Sequence, residues 1–407
     1  MNKLTNLFAW RYFSAKKSTN AINIIAWISV LAMAVGTAAL ILVLSVFNGF
    51  EGLVKSLYAD FYADMRIEPV KGKKIILNAA QYQKLQLIQG VAFANQIVEE
   101  KAVLVNEGYQ AIIYIKGVDS NYNQVNAVDK HIEKGSFLLG STNEPMMVVG
   151  AGIENAVGTN ISKAITPYTL YTPNKTANYS NIQNAMNAYN VGVSGSFAIQ
   201  QEFDDKYAFT NIGFLRYMLN MPVDECNYLE LKLAAGANET AIANQVKTIL
   251  GNKVVCKTRY EQNRGLFAIM QMEKWVIYGI LSLILIVAAF NMIGALTMMV
   301  IEKKKDIVTL QAIGADEKLI KKIFIRTGLL LAFIGSVFGM GVATLLCVLQ
   351  QYFHFIKLQG GTFIIDYYPV QLLVTDYALV VGTVILIAFL AAYFPSVKAS
   401  KRKFALH

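Results

Sequence analysis

The chain is poor in the groups that carry chemistry. Among 407 residues there are three histidines and three cysteines. His131, His354 and His407 lie too far apart in sequence to spell out a metal or nucleophile motif. No G-x-x-x-x-G-K-[ST] stretch occurs, which excludes nucleotide binding by that loop. No H-E-x-x-H, metal-spaced cysteine pair or G-x-S-x-G is present, and "GVSGS" (Gly192 to Ser196) reads as a glycine-rich strand entry. Charge is scarce too, at 16% against 55% apolar residues, and the apolar runs contain no acid pair of the kind an ion-coupled carrier needs. A chain of this kind is expected to be no enzyme, to bind no metal and to take its energy from a partner.

Long apolar runs are what it has instead. Residues 22–47 carry no charged side chain and no histidine, and residues 275–301, 327–349 and 377–394 form three further blocks. Each approaches or exceeds the roughly 20 residues that cross a bilayer core, so four transmembrane helices are expected. The excess positive charge, +10 overall, lies in three segments. Residues 1–21 hold Lys3, Arg11, Lys16 and Lys17 without an acid. Residues 302–326 are net basic, and residues 395–407 hold Lys398, Lys401, Arg402 and Lys403. Four crossings put these segments on one side, which the positive-inside rule makes cytoplasmic. Residues 48–274 and 350–376 then face outward. The first run is longer than a signal-peptide core and lacks a cleavage-like exit, so it reads as an uncleaved anchor. Cys347 falls inside an apolar helix as a packing residue. Cys226 and Cys256 share the exported region, where a disulfide is permitted but not dictated.

That region reads as mixed α/β. "DMRIEPV" (Asp64 to Val70) is a strand, and Asn78 caps a helix to about Ile88. "NQIVEEKAVLV" and "YQAIIYIKGV" alternate as strands. "YLELKL" (Tyr228 to Leu233), a helix from Glu239 to Leu250, and "KVVCKTRY" (Lys253 to Tyr260) follow. The order gives a split βαβ subdomain with a second subdomain, about 119–226, inserted into it. Within the insert, "YTPNKTANYSNIQNAMNAYN" (Tyr171 to Asn190) has one charge and scattered apolar residues. Both a contact-making hairpin and an ordinary surface loop fit it; Tyr171, Pro173, Tyr179 and Met186 are its candidate contact residues.

Between the second and third runs lies "MMVIEKKKDIVTLQAIGADEKLIKKIFIRTG". Ile307, Leu310 and Ile313 recur at helical spacing behind Glu302, Lys303 and Asp306, and Gly314 ends the short helix as a C-cap glycine. Docking into a partner's groove and resting on lipid headgroups both fit this amphipathic pattern. Outside the bilayer, Phe47, Phe50, Leu53 and Leu57 make an apolar stripe, and Leu266, Phe267 and Met270 make another before the second run. They serve either to pack two stalks or to receive acyl chains. Within the bilayer, Asn23 and Asn291 are candidates for inter-helix hydrogen bonds, and Ala32/Gly36 and Gly335/Gly339 for close helix contact.

These segments resemble the FtsX/MacB-type ABC permeases, and within them the lipoprotein-releasing LolC/LolE permease family. "RYFSAKKS" and "ISVLAMAVGTAALILVLSVFNGFE" resemble its opening, and "NRGLFAIMQMEK" its approach to the second helix. "AAFNMI" and "VIEKKKDIVTLQAIGA" resemble its helix and turn, and "YPV" and "YFPSVKAS" its closing elements. Asp306 and Val308 depart from the usual Glu and Ala of the turn, and the tail lacks a P-x-x-A-L element. The resemblance implies a non-catalytic membrane subunit that extracts lipoproteins from the outer leaflet of the inner membrane. A cytoplasmic ATPase dimer, binding ATP and Mg²⁺, would drive it through Glu302, Lys303, Asp306, Ile307, Leu310, Ile313 and Gly314. A second copy or a related permease, a periplasmic lipoprotein carrier, the lipoprotein cargo and membrane lipids would be the other partners, with no nucleic acid. The two stripes would meet the cargo's acyl chains, at about 0.8 kcal/mol per buried CH₂. A MacB-like peptide or drug efflux permease and an FtsX-like regulator of a cell-wall hydrolase remain alternatives.

Overall fold

The structure is a computed structural model that describes residues 2–14, 20–158, 167–173, 186–358 and 367–401. Side chains are described within these ranges except at 2–4, 12–14, 20–23 and 401. The chain divides into two compact units. One is built from residues 1–53, 268–359 and 365–407, the other from 54–267 and 360–364.

The chain opens with α1 (Asn2–Ser14) and α2 (Asn20–Phe61). The sheet unit follows with β1 (Met65–Pro69), β2 (Ile75–Ile76), α3 (Ala79–Gln86), β3 (Val91–Asn106) and β4 (Tyr109–Val118). Next come β5 (Ile132–Gly135), β6 (Met146–Gly150), α4 (Ala151–Ala156), β7 (Tyr168–Pro173), β8 (Met186–Phe197), α5 (Gln201–Asp204) and β9 (Tyr207–Asn211). α6 (Ile212–Met218), β10 (Glu225–Cys226), β11 (Tyr228–Leu233), α7 (Glu239–Leu250), β12 (Val254–Thr258) and α8 (Arg259–Gln262) complete it. α9 (Arg264–Glu302), α10 (Lys304–Ala312), α11 (Glu317–Phe353) and α12 (Val374–Lys401) follow.

Local chemistry explains several of these boundaries. Asn78 and Gln81 form a capping box at the start of α3, and Asn238 caps α7 by accepting from the Ala241 amide. Glu107 and Gly108 both have positive φ, which makes the two-residue β3–β4 turn a type I′ hairpin turn. β12, β1, β11 and the first half of β3 lie side by side in that order, all antiparallel, with Met65 opposite both Leu231 and Thr258. α3 and α7 supply Leu85, Ile242 and Val246 to the core of this half, against Met65, Ile67, Leu229 and Leu231.

The insert differs from the expected separate subdomain. Its strands hydrogen-bond into the same ten-stranded sheet, because β3 is long enough to serve both halves. The second half of β3 pairs with β4, β4 with β9, β9 with β6, β6 with β8, β8 with β7, and β7 returns to β3. That circuit closes a six-stranded barrel around Leu104, Ile113, Ile115, Met147, Val149, Leu170 and Val191. Sequence periodicity shows which residues alternate but not which strands meet.

Among the described residues, four helices are long and apolar enough to cross a membrane, Ile24–Phe61, Arg264–Glu302, Glu317–Phe353 and Val374–Ser400, and most of each belongs to the other unit. Their shared core includes Met33, Leu40, Leu44, Leu285, Met292, Leu296, Leu331, Val384 and Ala388. Gly335 and Gly339 let α11 press on α2: a Cβ on Gly339 would lie 2.2 Å from the Ala34 carbonyl oxygen, and one on Gly335 2.6 Å from that of Val30. α12 runs through Pro395, where the sequence reading ended the fourth run, and Ser396 Oγ donates to the Ala392 carbonyl in the same turn. Asn291 is exposed, and the Asn23 side chain lies outside the described residues.

Candidate functional site

Three sequence elements that lie hundreds of residues apart meet in one polar clasp. Asn48 of α2 is buried at 3% exposure and donates through Nδ2 to Asp376 Oδ2 at 2.5 Å. Lys274 Nζ of α9 donates to Asn48 Oδ1 at 2.8 Å and stands 3.3 Å from Asp376 Oδ1. Both polar ends of the Asn48 amide are therefore occupied, and the lysine and aspartate neutralise each other across it. Asp376 lies in the first turn of α12, where a carboxylate also faces that helix's partly positive N-terminus.

The residue after Asn48 has to be glycine for a different reason. A Cβ on Gly49 would fall 2.3 Å from the Pro369 carbonyl oxygen and 2.6 Å from the Val370 nitrogen. The segment before α12 thus lies directly on the α2 backbone, held by the Gln371 amide donating to the Ser45 carbonyl at 2.9 Å. Gln271 Nε2 reaches Glu51 Oε1 at 3.5 Å, which adds a contact between α9 and α2. Asn-Gly-Phe-Glu, Met-Glu-Lys and Tyr-Pro are thus parts of one joint tying α2, α9 and α12. Nearby, Tyr278 meets Thr383, and Tyr377 OH lies 2.5 Å from Thr344 Oγ1, so hydroxyl pairs also link α9 and α11 to α12. Sequence reasoning missed Asp376 and Gln371. An acid at the edge of the fourth apolar run was the available signal for the first; nothing marked the second.

The turn between α9 and α11 is built differently. α10 ends in a Schellman pattern: the Gly314 amide donates to the Gln311 carbonyl and the Ala315 amide to that of Leu310, with Gly314 at φ +100°. Asp316 then caps α11 by accepting from the Leu319 amide at 2.9 Å. The expected stripe divides. Ile307 is buried among Met299, Val300, Ile320, Phe324 and Ala399, whereas Leu310 is half-buried and Ile313 is 79% exposed. Lys303 lies 3.9 Å from Asp306, and Glu302 ends α9 half-buried.

Of the stripe residues, Leu57, Phe267 and Met270 are buried, while Phe47, Phe50, Leu53 and Leu266 are half-buried. Phe267 stacks on Tyr260 at 4.8 Å and meets Tyr58 edge-on. The exposed apolar residues of this part of α9 are Ile269, Met272, Trp275 and Val276; of these, the sequence reading of the approach to the second run included Trp275 alone. The α2 terminus is anchored in the sheet unit by Phe61, stacked on Phe203 at 4.1 Å.

On the barrel, β7 and β8 form an antiparallel hairpin with Pro173 opposite Met186. Tyr171 is half-buried and pairs with Val103 and Ala188, Pro173 and Met186 are exposed, and Tyr179 lies outside the described residues. Cys226, Cys256 and Cys347 are all free thiols. Burial pushes the Cys226 thiol up to about 12 and the Cys256 thiol up to about 11, which disfavours the nucleophilic thiolate at both. No cluster of three or more His, Cys, Asp or Glu suited to a metal occurs among the described residues.

Comparison with known proteins bears on the whole chain. Residues 26–249 match the MacB-like periplasmic core domain, and residues 278–404 the FtsX-like permease C-terminal domain. The chain is 26% identical to the lipoprotein-releasing system transmembrane protein LolC of Neisseria meningitidis serogroup B, over 97% of both chains. It is 24% identical to the lipoprotein-releasing system transmembrane protein LolE of Haemophilus influenzae, over 97% of this chain and 96% of that one. Against LolC of Xylella fastidiosa it is 22% identical, over 98% and 97%. With the core-domain match covering more than half of the chain and the permease match following it, the chain belongs to the FtsX/MacB-type ABC permeases, in their LolC/LolE branch.

Proposed function

We infer that this chain is the membrane subunit of a lipoprotein-releasing ABC system. The observation that carries the reading is end-to-end similarity to LolC and LolE proteins, which covers the sheet unit and the helices alike. The full-length relatives compared above are lipoprotein-releasing proteins, which favours this reading over efflux or hydrolase regulation.

In this reading the four apolar helices cross the inner membrane with both termini in the cytoplasm, as the basic segments favour. The sheet unit is periplasmic. ATP is hydrolysed by a separate cytoplasmic ATPase dimer, which α10 engages through its exposed side. Ile313 is the leading contact, with Leu310 beside it, while Ile307 holds the turn to the helices. α2 and α9 transmit the movement, since each is an unbroken helix of 42 and 39 residues. The clasp keeps α2, α9 and α12 moving as one body. A second permease, identical or related, completes the membrane part, and a periplasmic carrier takes the cargo at the β7–β8 hairpin. Within the helical unit, acyl chains meet the half-buried Phe47, Phe50 and Leu53 of α2 and the exposed Ile269 and Met272 of α9.

Depleting the chain in its host and fractionating the envelope tests the function. Lipoproteins bound for the outer membrane are expected to accumulate in the inner membrane. Correct sorting in depleted cells would refute the reading.

A further inference from the structure

The helical unit carries a groove that none of these roles uses. It encloses about 690 Å³ between α11 and α12, with Asn6 and Trp10 of α1 on its wall. Leu330, Phe333 and Met340 line it from α11 and Val381 and Ile385 from α12; Phe333 and Ile385 are exposed at the rim. Arg326 is the one charged side chain in the lining, and its Nη1 donates to Asn6 Oδ1 at 2.8 Å and to Thr5.

Position gives this groove its meaning. Arg326 stands where α11 passes from a charged first part, with Lys318, Lys321 and Lys322, into the uncharged run from Thr327 to Leu349. From Arg326 to Met340 the helix rises about 21 Å at ~1.5 Å per residue. One leaflet is about 15 Å, half of a ~30 Å hydrocarbon core. A cation at headgroup depth therefore opens onto an apolar trough longer than one leaflet's acyl chain. An Arg guanidinium offers the planar fork that suits a phosphate, and Thr5 and Asn6 hold it in place.

We propose that this groove binds an anionic glycerophospholipid, with its phosphate at Arg326 and one acyl chain along Leu330 to Met340. The lipid ties α1 to α11 and α12. Acyl burial alone gives little preference, because the surrounding lipid is as apolar as the groove. Selectivity comes from the headgroup, and that is what the experiment reads.

The full-length chain, purified in mild detergent, is titrated with phosphatidylglycerol or phosphatidylcholine of identical acyl chains, and bound lipid is counted by native mass spectrometry. Phosphatidylglycerol is expected to be retained roughly fivefold better, the worth of one basic side chain at a membrane surface. Arg326→Lys keeps the preference and Arg326→Gln loses it. Ile385→Trp, which fills the groove from an exposed rim position, lowers phosphatidylglycerol retention without changing the fold. A photoreactive benzophenone side chain in place of Ile385, irradiated in native membranes, acquires the mass of a lipid. Equal retention of both lipids by the unaltered chain, or an undiminished preference in Arg326→Gln, overturns the proposal. So does a photoproduct of protein mass, from a second copy or a partner helix.

Discussion

Where α2, α9 and the start of α12 meet, the buried Asn48 and Asp376 and the half-buried Lys274 satisfy one another. In the turn from α9 to α11, Ile307 is turned inward but Ile313 stands 79% exposed. Both places carry motifs the family resemblance rests on, yet one is closed on itself and the other leaves an apolar side chain uncovered. A buried, mutually satisfied cluster fixes geometry. An exposed isoleucine on a short, firmly capped helix offers a surface. Similarity to a family marks both alike, and only burial tells them apart.

The comparison breaks most readily at Asp376. Asp376→Ala strands the Lys274 ammonium and the Asn48 amide, and is expected to destabilise the helical unit by about 4 kcal/mol, read by denaturant unfolding in detergent. Lys274→Met combined with Asp376→Leu, which removes the charges together, is expected to cost clearly less than either single change. A double variant that costs the sum of its two single changes would mean that the clasp is not a coupled unit.

Ile307→Ala comes next, at about 3 kcal/mol for a buried isoleucine truncated to a cavity. Gly49→Ala is expected to cost about 2 kcal/mol, because its methyl meets the Pro369 backbone rather than a movable side chain. If Gly49→Ala leaves the melting temperature unchanged, the close approach of that segment to α2 is not maintained in the membrane.

The smallest effect on stability belongs to Ile313→Asp, within about 0.5 kcal/mol as for other exposed positions. Lipoprotein release is nevertheless expected to fail in that variant, with ATP hydrolysis by the assembled complex no longer responsive to cargo. Full, cargo-responsive activity in Ile313→Asp would remove the docking role from α10 and leave it an interfacial helix.

Much of this was legible in the residues. Uncharged runs gave the apolar helices, since length and lack of charge are one-dimensional properties. Asn78 and Gly314 marked local boundaries, because capping involves neighbours three or four residues apart. β11 and α7 fell where alternation and helical spacing placed them. The clasp was half legible: Asn48-Gly49, Lys274 and Pro369 stood out as motifs, but nothing in sequence joined them to one another or to Asp376. The stripe around Leu57 and Phe267 left packing and acyl contact open, because helical spacing finds an apolar face without saying what covers it; both residues are buried.

The amino-acid order by itself determined that four helices would be long and apolar and that the excess positive charge would fall in three short segments. Hydrophobicity, charge and motif spacing act locally, so they survive without coordinates. The tertiary structure alone decided that β3 would serve two halves of one sheet, that β7 would close the barrel, and that Ile307 and Ile313 would point to different environments. It also decided that Asn48 would find Asp376. Each of those depends on which distant segments come within a few ångströms, and that follows from packing the whole chain.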